Sequence, residues 1–282
     1  MSKSSAKKKK NTTERAVAER SKESLRAASD KRLPLNGNAR KTIHVRYYLA
    51  ASVSLITFLV YLSSLQNGFV QWDDPEYVSE NLHIRSFNAS FLKWAFLEFH
   101  SANWHPLTWI SHAIDYAIWG LNPLGHHLTN NILHTFNTFI VVLLIVRLVE
   151  LFKESTKTEV TTTFLDNRRT LIVAGVTGLL FGLHPLHVES VAWVAERKDL
   201  LCAFFFLLSI TAYLKYLRTI DIVQAGQGPR SRFLNKQYLF SFFFFALALL
   251  SKPMAVSLPA VLLIFDWYPS KRILRRKSLS DA

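Results

Sequence analysis

The sequence predicts an all-α, polytopic membrane protein with about six transmembrane helices. Half of its 282 residues are apolar, and all 21 Phe residues lie after residue 57, often in runs. The basic residues are concentrated elsewhere, with 14 of the 34 Lys and Arg in the first 46 residues. This distribution excludes a single soluble globule. The single cysteine, Cys202, excludes a disulfide-stapled secreted domain.

Residues 1–46 consist largely of Lys, Arg, Ser and Ala, with almost no large apolar side chain. Such a segment buries too little surface to offset its ordering entropy, so we predict a disordered, basic cytoplasmic tail. The run Lys7–Lys10 is compatible with nucleic-acid binding. Contact with anionic lipid and control of topology is the favoured interpretation.

Five apolar stretches follow the tail. The first, Tyr47–Leu65, has nineteen residues without a charge, enough to cross roughly 30 Å of hydrocarbon. The last has 31 residues and is interrupted by Ser251–Pro253, so we divide it into two short helices. The later stretches are Leu128–Val149, Leu171–His184, Leu200–Leu217 and Tyr238–Tyr268. The predicted membrane domain is therefore residues 47–270, followed by a basic cytoplasmic tail, 271–282.

The basic residues support one orientation. With the N-terminal tail inside and the six spans alternating, the inside segments hold 29 of the 34 Lys and Arg. This matches the positive-inside rule and places both termini in the cytoplasm. Six of the seven Trp residues fall in the outside segments, which indicates additional structure along the outer membrane surface.

The first outer loop, residues 66–127, is too polar for spans and too amphipathic for a plain loop. Aromatic residues spaced three or four apart predict amphipathic juxtamembrane helices at Ser90–His100 and Trp104–Trp119. The second stretch is also compatible with a seventh transmembrane helix. A juxtamembrane position is favoured, because another span would invert the charge bias of everything after it.

Two adjacent carboxylates, Asp73 and Asp74, follow the first span among aromatic residues. Mutual repulsion and a low dielectric both raise a carboxyl pKa, which suits a general base or a cation ligand. The alternative is that one Asp caps a short helix while the other is solvated.

The second outer loop, His184–Asp199, packs seven ionisable groups into sixteen residues, and Lys252 adds a cation in the third. Charged groups at the mouth of a helical bundle are costly unless they are paired or functional. We therefore predict one outer site formed by three loops. Its members are Asp73, Asp74, His105, His187, Glu196, Arg197, Lys198, Asp199 and Lys252.

The same segments contain candidate metal ligands. His184, His187 and Glu189 lack the i, i+4 spacing of a zinc protease. A divalent cation such as Mg²⁺ or Mn²⁺, held by carboxylates of the outer site, is the favoured candidate. Earlier in the chain, four polar residues share one predicted helix face, where a functional cluster and interhelical hydrogen bonding are equally acceptable. They are His127, Asn130, Asn131 and His134.

Four motifs carry a family resemblance over about residues 45–270. They are Asp73–Asp74, Trp104–Thr108 (WHPLT), Gly120–Asn130 (GLNPLGHHLTN) and His184–Leu200, which contains HPLHVESVAW and ERKDL. In this order they resemble the membrane part of the transmembrane and tetratricopeptide-repeat-containing O-mannosyltransferases and their bacterial relatives. That family resembles the wider GT-C glycosyltransferases, so the resemblance implies a GT-C-like N-terminal half.

The resemblance implies transfer of a hexose, mannose above all, from a polyprenyl-phosphate carrier to a protein Ser or Thr hydroxyl on the outer membrane face. An acid of the Asp73–Asp74 pair would deprotonate the hydroxyl, and Glu196 and Asp199 would complete the site. Arg197, Lys198 or Lys252 would stabilise the leaving phosphate by charge-assisted hydrogen bonds. Two imidazoles, His105 and His187, would orient either partner.

The chain departs from the family in its number of spans and in its lack of repeats. Family members have more spans and a tetratricopeptide array, whereas no 34-residue repeat occurs here. We therefore expect either a truncated chain or one that needs a partner chain for missing spans or repeats.

A non-catalytic subunit is the alternative function. A transporter is less favoured, since the ionisable groups lie in loops rather than at the bilayer midplane. A bacterial inner membrane is preferred over an endoplasmic reticulum membrane.

Overall fold

The computed structural model describes residues 37–156, 166–223 and 235–268. The chain divides into two units, Met1–Val45 and Arg46–Ala282, and the packed helices and outer loops belong to the second. The described residues are almost entirely helical and contain no named β-strand, which confirms the predicted all-α class. The expected disorder of residues 1–36 and the C-terminal tail 271–282 lie outside the described residues.

Nine α-helices are present in the described ranges. They are α1 Gly37–Val60, α2 Ala89–Leu97, α3 Pro106–Trp119, α4 Pro123–Thr156, α5 Asn167–Gly182, α6 His187–Ala192, α7 Arg197–Val223, α8 Lys236–Ser251 and α9 Leu258–Trp267. A 3₁₀ segment, Tyr61–Gln66, continues α1, and another, Pro253–Ser257, links α8 to α9. Helix α1 begins ten residues before the predicted first span, so residues 37–46 of the predicted tail are helical.

Three helices of the described part are long and apolar enough to cross a membrane: His44–Gln66, Pro123–Thr156 and Val194–Thr219. Their presence identifies the chain as a membrane protein. The other three predicted spans correspond to shorter helices, α5, α8 and α9. The predicted break between α8 and α9 is confirmed at Lys252, whose backbone is extended before Pro253.

Side-chain caps set several helix starts. Asp166 accepts a hydrogen bond from the Arg169 N–H at 2.7 Å where α5 begins. Asn235 does the same for the Gln237 N–H, 2.9 Å away, at the start of α8. These caps satisfy backbone donors that have no partner within the helix, and so place the helix starts at these residues.

Small residues bring α1, α4 and α5 close together. A Cβ added at Gly178 would collide with the Val142 side chain of α4 and come within 3.2 Å of Val53 of α1. One turn on, Gly182 lies against the hydroxyls of Thr57 and Thr138 in the same way. This close approach at small-xxx-small positions is typical of helix packing in membranes.

Residues 67–119 supply most of an aromatic cluster, which Val194 and Ala195 complete. The rings of Tyr77 and Trp109 lie 4.6 Å apart, and Trp94 lies 5.5 Å from Trp109. The predicted juxtamembrane helices are present as α2 and α3. Helix α3 has fourteen residues, or roughly 21 Å, which is shorter than the hydrocarbon core. Asp115 and His112 of this helix are buried. Helix α3 is not among the three helices of the described part that are long and apolar enough to cross a membrane, and its juxtamembrane position stays a prediction.

Candidate active site

Five predicted site residues from three loops form a ladder of alternating charges, which we call the charge cluster: Asp73, Lys198, Glu196, Lys252 and Asp199. The Lys198 ammonium lies 2.7 Å from Glu196 Oε1 and 3.6 Å from Asp73 Oδ2. The Lys252 ammonium lies 3.9 Å from Glu196 Oε2 and forms a close ion pair with Asp199. Because the charges alternate, the cluster is compact without net repulsion.

Lys198 is held on a third side by an aromatic ring. Its Nζ lies 4.8 Å from the centre of the buried Tyr77 ring, within cation–π range. Burial raises the pKa of the Tyr77 phenol, and the nearby carboxylates raise it further, so this ring remains neutral. The ammonium therefore lies between a ring face and two carboxylates, with only 9% of its side chain exposed.

The two adjacent aspartates have different environments. Asp74 is fully buried, and its two oxygens accept backbone N–H bonds from Val70 at 2.7 Å and Ala195 at 2.8 Å. Burial raises the pKa of Asp74, while both N–H donors oppose that rise. Asp74 thus anchors the first outer loop to the second. Asp73 has a third of its side chain exposed and faces Lys198, so it is the member of the pair that a substrate can reach.

Arg197 lies inside the protein rather than in the charge cluster. Its side chain is fully buried and forms a 2.6 Å ion pair with Asp115 of α3. The predicted contact of Arg197 with a donor phosphate therefore has no support from this geometry. Sequence reasoning missed Asp115 as its partner, although a carboxylate within an apolar helix is a signal that such a residue is paired.

The two predicted imidazoles lie in different places. His105 precedes α3 and is 3% exposed. Burial lowers the pKa of His105 to about 4, and the ammonium groups of Lys198 and Lys252 contribute, so the ring beside the cluster is neutral. His187 instead packs its ring 4.7 Å from Phe181 and 5.3 Å from His134. Burial lowers the pKa of His187 as well. Among the described residues, none of the cluster's ion pairs includes His187.

The predicted polar face of α4 makes interhelical hydrogen bonds. Asn131 donates to the Phe58 carbonyl at 3.1 Å, and His134 Nε2 lies 2.9 Å from the Gly182 carbonyl. Asn130 donates to the Trp193 carbonyl at 3.1 Å. All three side chains are fully buried and bind carbonyls of neighbouring segments. Of the two interpretations left open by the sequence, the structure supports hydrogen bonding between helices.

Metal ligands are not grouped in the part of the chain that the structure describes. No set of three or more His, Cys, Asp or Glu side chains is arranged there to hold a metal ion. His184 and His187 are neighbours with ring centres 6.1 Å apart, and they belong to no such set. The carboxylates of the charge cluster each face a lysine ammonium instead.

Comparison with known proteins finds relatives of this chain. The chain is 32% identical over 172 residues to protein O-mannosyl-transferase Tmtc2 of Drosophila melanogaster, covering 58% of this chain and 16% of that protein. It is 33% identical over 165 residues to human protein O-mannosyl-transferase TMTC4, covering 58% and 21%. The mouse TMTC1 enzyme matches at 29% identity over 230 residues, covering 78% and 22%. The chain is thus similar to TMTC protein O-mannosyl-transferases over 58–78% of its length.

These matches confirm the resemblance carried by the four sequence motifs. These TMTC relatives are much longer proteins, and the chain spans only about a fifth of their length. They come from animals and lend no support to a bacterial inner membrane as the location. No protein-family model matches the chain, and no solved structure gives a significant match.

Proposed function

We propose that this chain catalyses transfer of a hexose, mannose above all, from a polyprenyl-phosphate carrier to a protein Ser or Thr hydroxyl at the outer membrane face. The TMTC relatives are named protein O-mannosyl-transferases, which supports glycosyl transfer as the class of reaction. The charge cluster is the observation that carries the proposal. It places a reachable carboxylate and two ammonium groups within one small site, as a GT-C-type displacement needs.

The proposed chemistry is a single displacement. The acceptor hydroxyl gives its proton to Asp73 and attacks the anomeric carbon, while the bond from that carbon to the phosphate oxygen breaks. Polyprenyl phosphate leaves with the bonding electrons, and Lys198 and Lys252 stabilise its developing charge. Glu196 and Asp199 hold the two ammonium groups in place. Attack opposite the leaving group inverts the anomeric configuration.

The divalent cation remains a proposal. Asp73, Glu196 and Asp199 offer the oxygen ligands that Mg²⁺ or Mn²⁺ prefers, but lysine ammonium groups already neutralise them. A divalent cation would have to displace at least one of these ammonium groups, and the displacement above uses no metal. Adding EDTA to the transfer assay tests the cation directly.

The experiment that tests the function is transfer of labelled mannose from polyprenyl-phosphate mannose to protein, in membranes that contain the chain. We expect Asp73→Asn to lower the rate by about a hundredfold or more, since the amide cannot accept the proton. Glu76→Gln is the matched control, because Glu76 is an exposed acid three residues away. It should keep wild-type transfer.

Two results would contradict the proposal. Full activity of Asp73→Asn would remove the proposed base. The absence of transfer from well-expressed wild-type chain would favour the alternative, a non-catalytic subunit that works with a second chain. Co-purification of the tagged chain from its native membrane would then identify that partner.

A further inference from the structure

We propose that Asp115 and Arg197 are positioning residues whose buried ion pair holds Glu196 and Lys198 in the charge cluster. Arg197 lies between these two residues in the chain, but its side chain extends into the protein while theirs join the cluster. The positioning of Glu196 and Lys198 by this ion pair does not depend on the proposed function. Its effect on sugar transfer rests on the proposed function.

The guanidinium of Arg197 is bound on all sides. Nη2 lies 2.6 Å from Asp115 Oδ2 and donates to the His126 carbonyl at 2.8 Å. Nε donates to Asn130 Oδ1 at 2.8 Å, and Nη1 lies 3.4 Å from both oxygens of Ser111. This set uses the planar fork of arginine in several fixed directions, which the point charge of a lysine cannot reproduce.

The ion pair and its hydrogen bonds connect three helices, α3, α4 and α7. The second oxygen of Asp115 accepts a 2.9 Å hydrogen bond from the Thr129 hydroxyl of α4. Asp115 itself belongs to α3, and Arg197 is the first residue of α7. The start of α7 is therefore fixed by side chains from both neighbouring helices.

The segment just before α7 is held in addition through its backbone. Asn130 donates to the Trp193 carbonyl at 3.1 Å, and the Ala195 N–H donates to Asp74 at 2.8 Å. Residues 193–197 are thus fastened at three successive odd positions. Glu196 and Lys198 flank Arg197 in this fixed segment, and their charged groups meet each other and Asp73, whereas the Arg197 guanidinium meets Asp115.

Stability alone does not explain a buried ion pair. Desolvation of two charges is costly, and an apolar pair of similar volume is often at least as stable. What such a pair can supply is a single, specific arrangement of the chain, and here the arrangement is that of the charge cluster.

The test uses the full chain in detergent or membranes with two variants, Asp115→Leu/Arg197→Met and Arg197→Lys. The double variant removes both charges together, so no unpaired buried charge prevents folding. We expect it to keep a wild-type melting temperature, with at least tenfold faster amide exchange in peptides covering 193–200. Its kcat for transfer should fall at least tenfold, with a smaller change in the KM for the donor. Arg197→Lys should show the same loss.

Ser209→Ala is the control, because Ser209 is equally buried in α7 and hydrogen-bonded to the Ser241 carbonyl at 2.7 Å, far along the helix. It should leave exchange at 193–200 and kcat unchanged. A folded double variant with wild-type exchange and kcat would overturn the proposal. So would a large rise in donor KM confined to Arg197 variants, which would mean direct phosphate binding. Faster exchange in a chain whose wild type shows no transfer would uphold the positioning and reject the proposed function.

Discussion

Asp73 and Asp74 differ in role although they are the same residue type at adjacent positions. Both carboxylate oxygens of Asp74 accept hydrogen bonds from backbone N–H groups, whereas Asp73 faces Lys198 and solvent. A carboxylate that anchors two loops is poorly placed to accept a substrate proton. The two roles differ because the side chains of Asp73 and Asp74 point to different sides of the backbone.

His105 makes the folding stability depend on pH, and the burial of its ring sets the sign of that dependence. Its folded pKa of about 4 lies below the ordinary value of 6.5, so the unfolded chain binds the proton more tightly. Folding stability should therefore fall as the pH drops from 6.5 toward 4, by up to about 3 kcal/mol. We expect His105→Gln to reduce this loss, measured as a smaller decrease in melting temperature between pH 7 and pH 4.5. An unchanged acid response in the variant would show that His105 is not held neutral.

Some of these residue roles were predictable from the sequence. Ionisable groups concentrated in three outer loops predict a shared site, because charged groups at the mouth of a helical bundle are costly unless they are paired or functional. The buried position of Arg197 was not predictable. It depends on Asp115, which is 82 residues earlier in the chain and meets it only after α3 packs against α7.

Helix α5 packs against α1 and α4 through glycine, and this predicts a specific sensitivity to volume. In Gly178→Ala the new methyl group would overlap the Val142 side chain, so we expect destabilisation by about 1–3 kcal/mol. Val142→Ala in the same chain removes the overlapping atoms and should recover most of the loss. Thermal unfolding in detergent of the single and double variants measures both effects. A Gly178→Ala chain as stable as wild type would mean that these helices do not approach so closely.

Helix boundaries were predicted with mixed success, for physical reasons. The break at Lys252 was correct because a proline excludes the helical conformation of the residue before it. The start of α1 was missed, since the prediction followed hydropathy, and helical structure continues beyond the apolar stretch to Gly37. Hydropathy indicates where a chain is apolar rather than where its backbone becomes helical.

At the scale of the whole molecule, the distribution of basic residues predicts which membrane face carries the proposed site. The cluster residues belong to loops that the positive-inside rule places outside, and 29 of the 34 basic residues belong to segments placed inside. The N-terminal tail contributes nearly half of that bias. The proposed reaction depends on this orientation, because the donor sugar and acceptor protein must both reach the outer face.

Cysteine accessibility tests that orientation. Cys202 is the single native cysteine, so Cys202→Ala provides a background in which one new thiol can be placed at a time. In sealed, right-side-out membranes, an impermeant maleimide should label Ser86→Cys, an exposed position of the first outer loop. Ser21→Cys in the basic tail should react after the membrane is opened. Labelling of Ser21→Cys in sealed membranes would place the tail outside and move the charge cluster to the cytoplasmic face. That orientation would conflict with both the charge bias and transfer at the outer face, so this one comparison tests the two together.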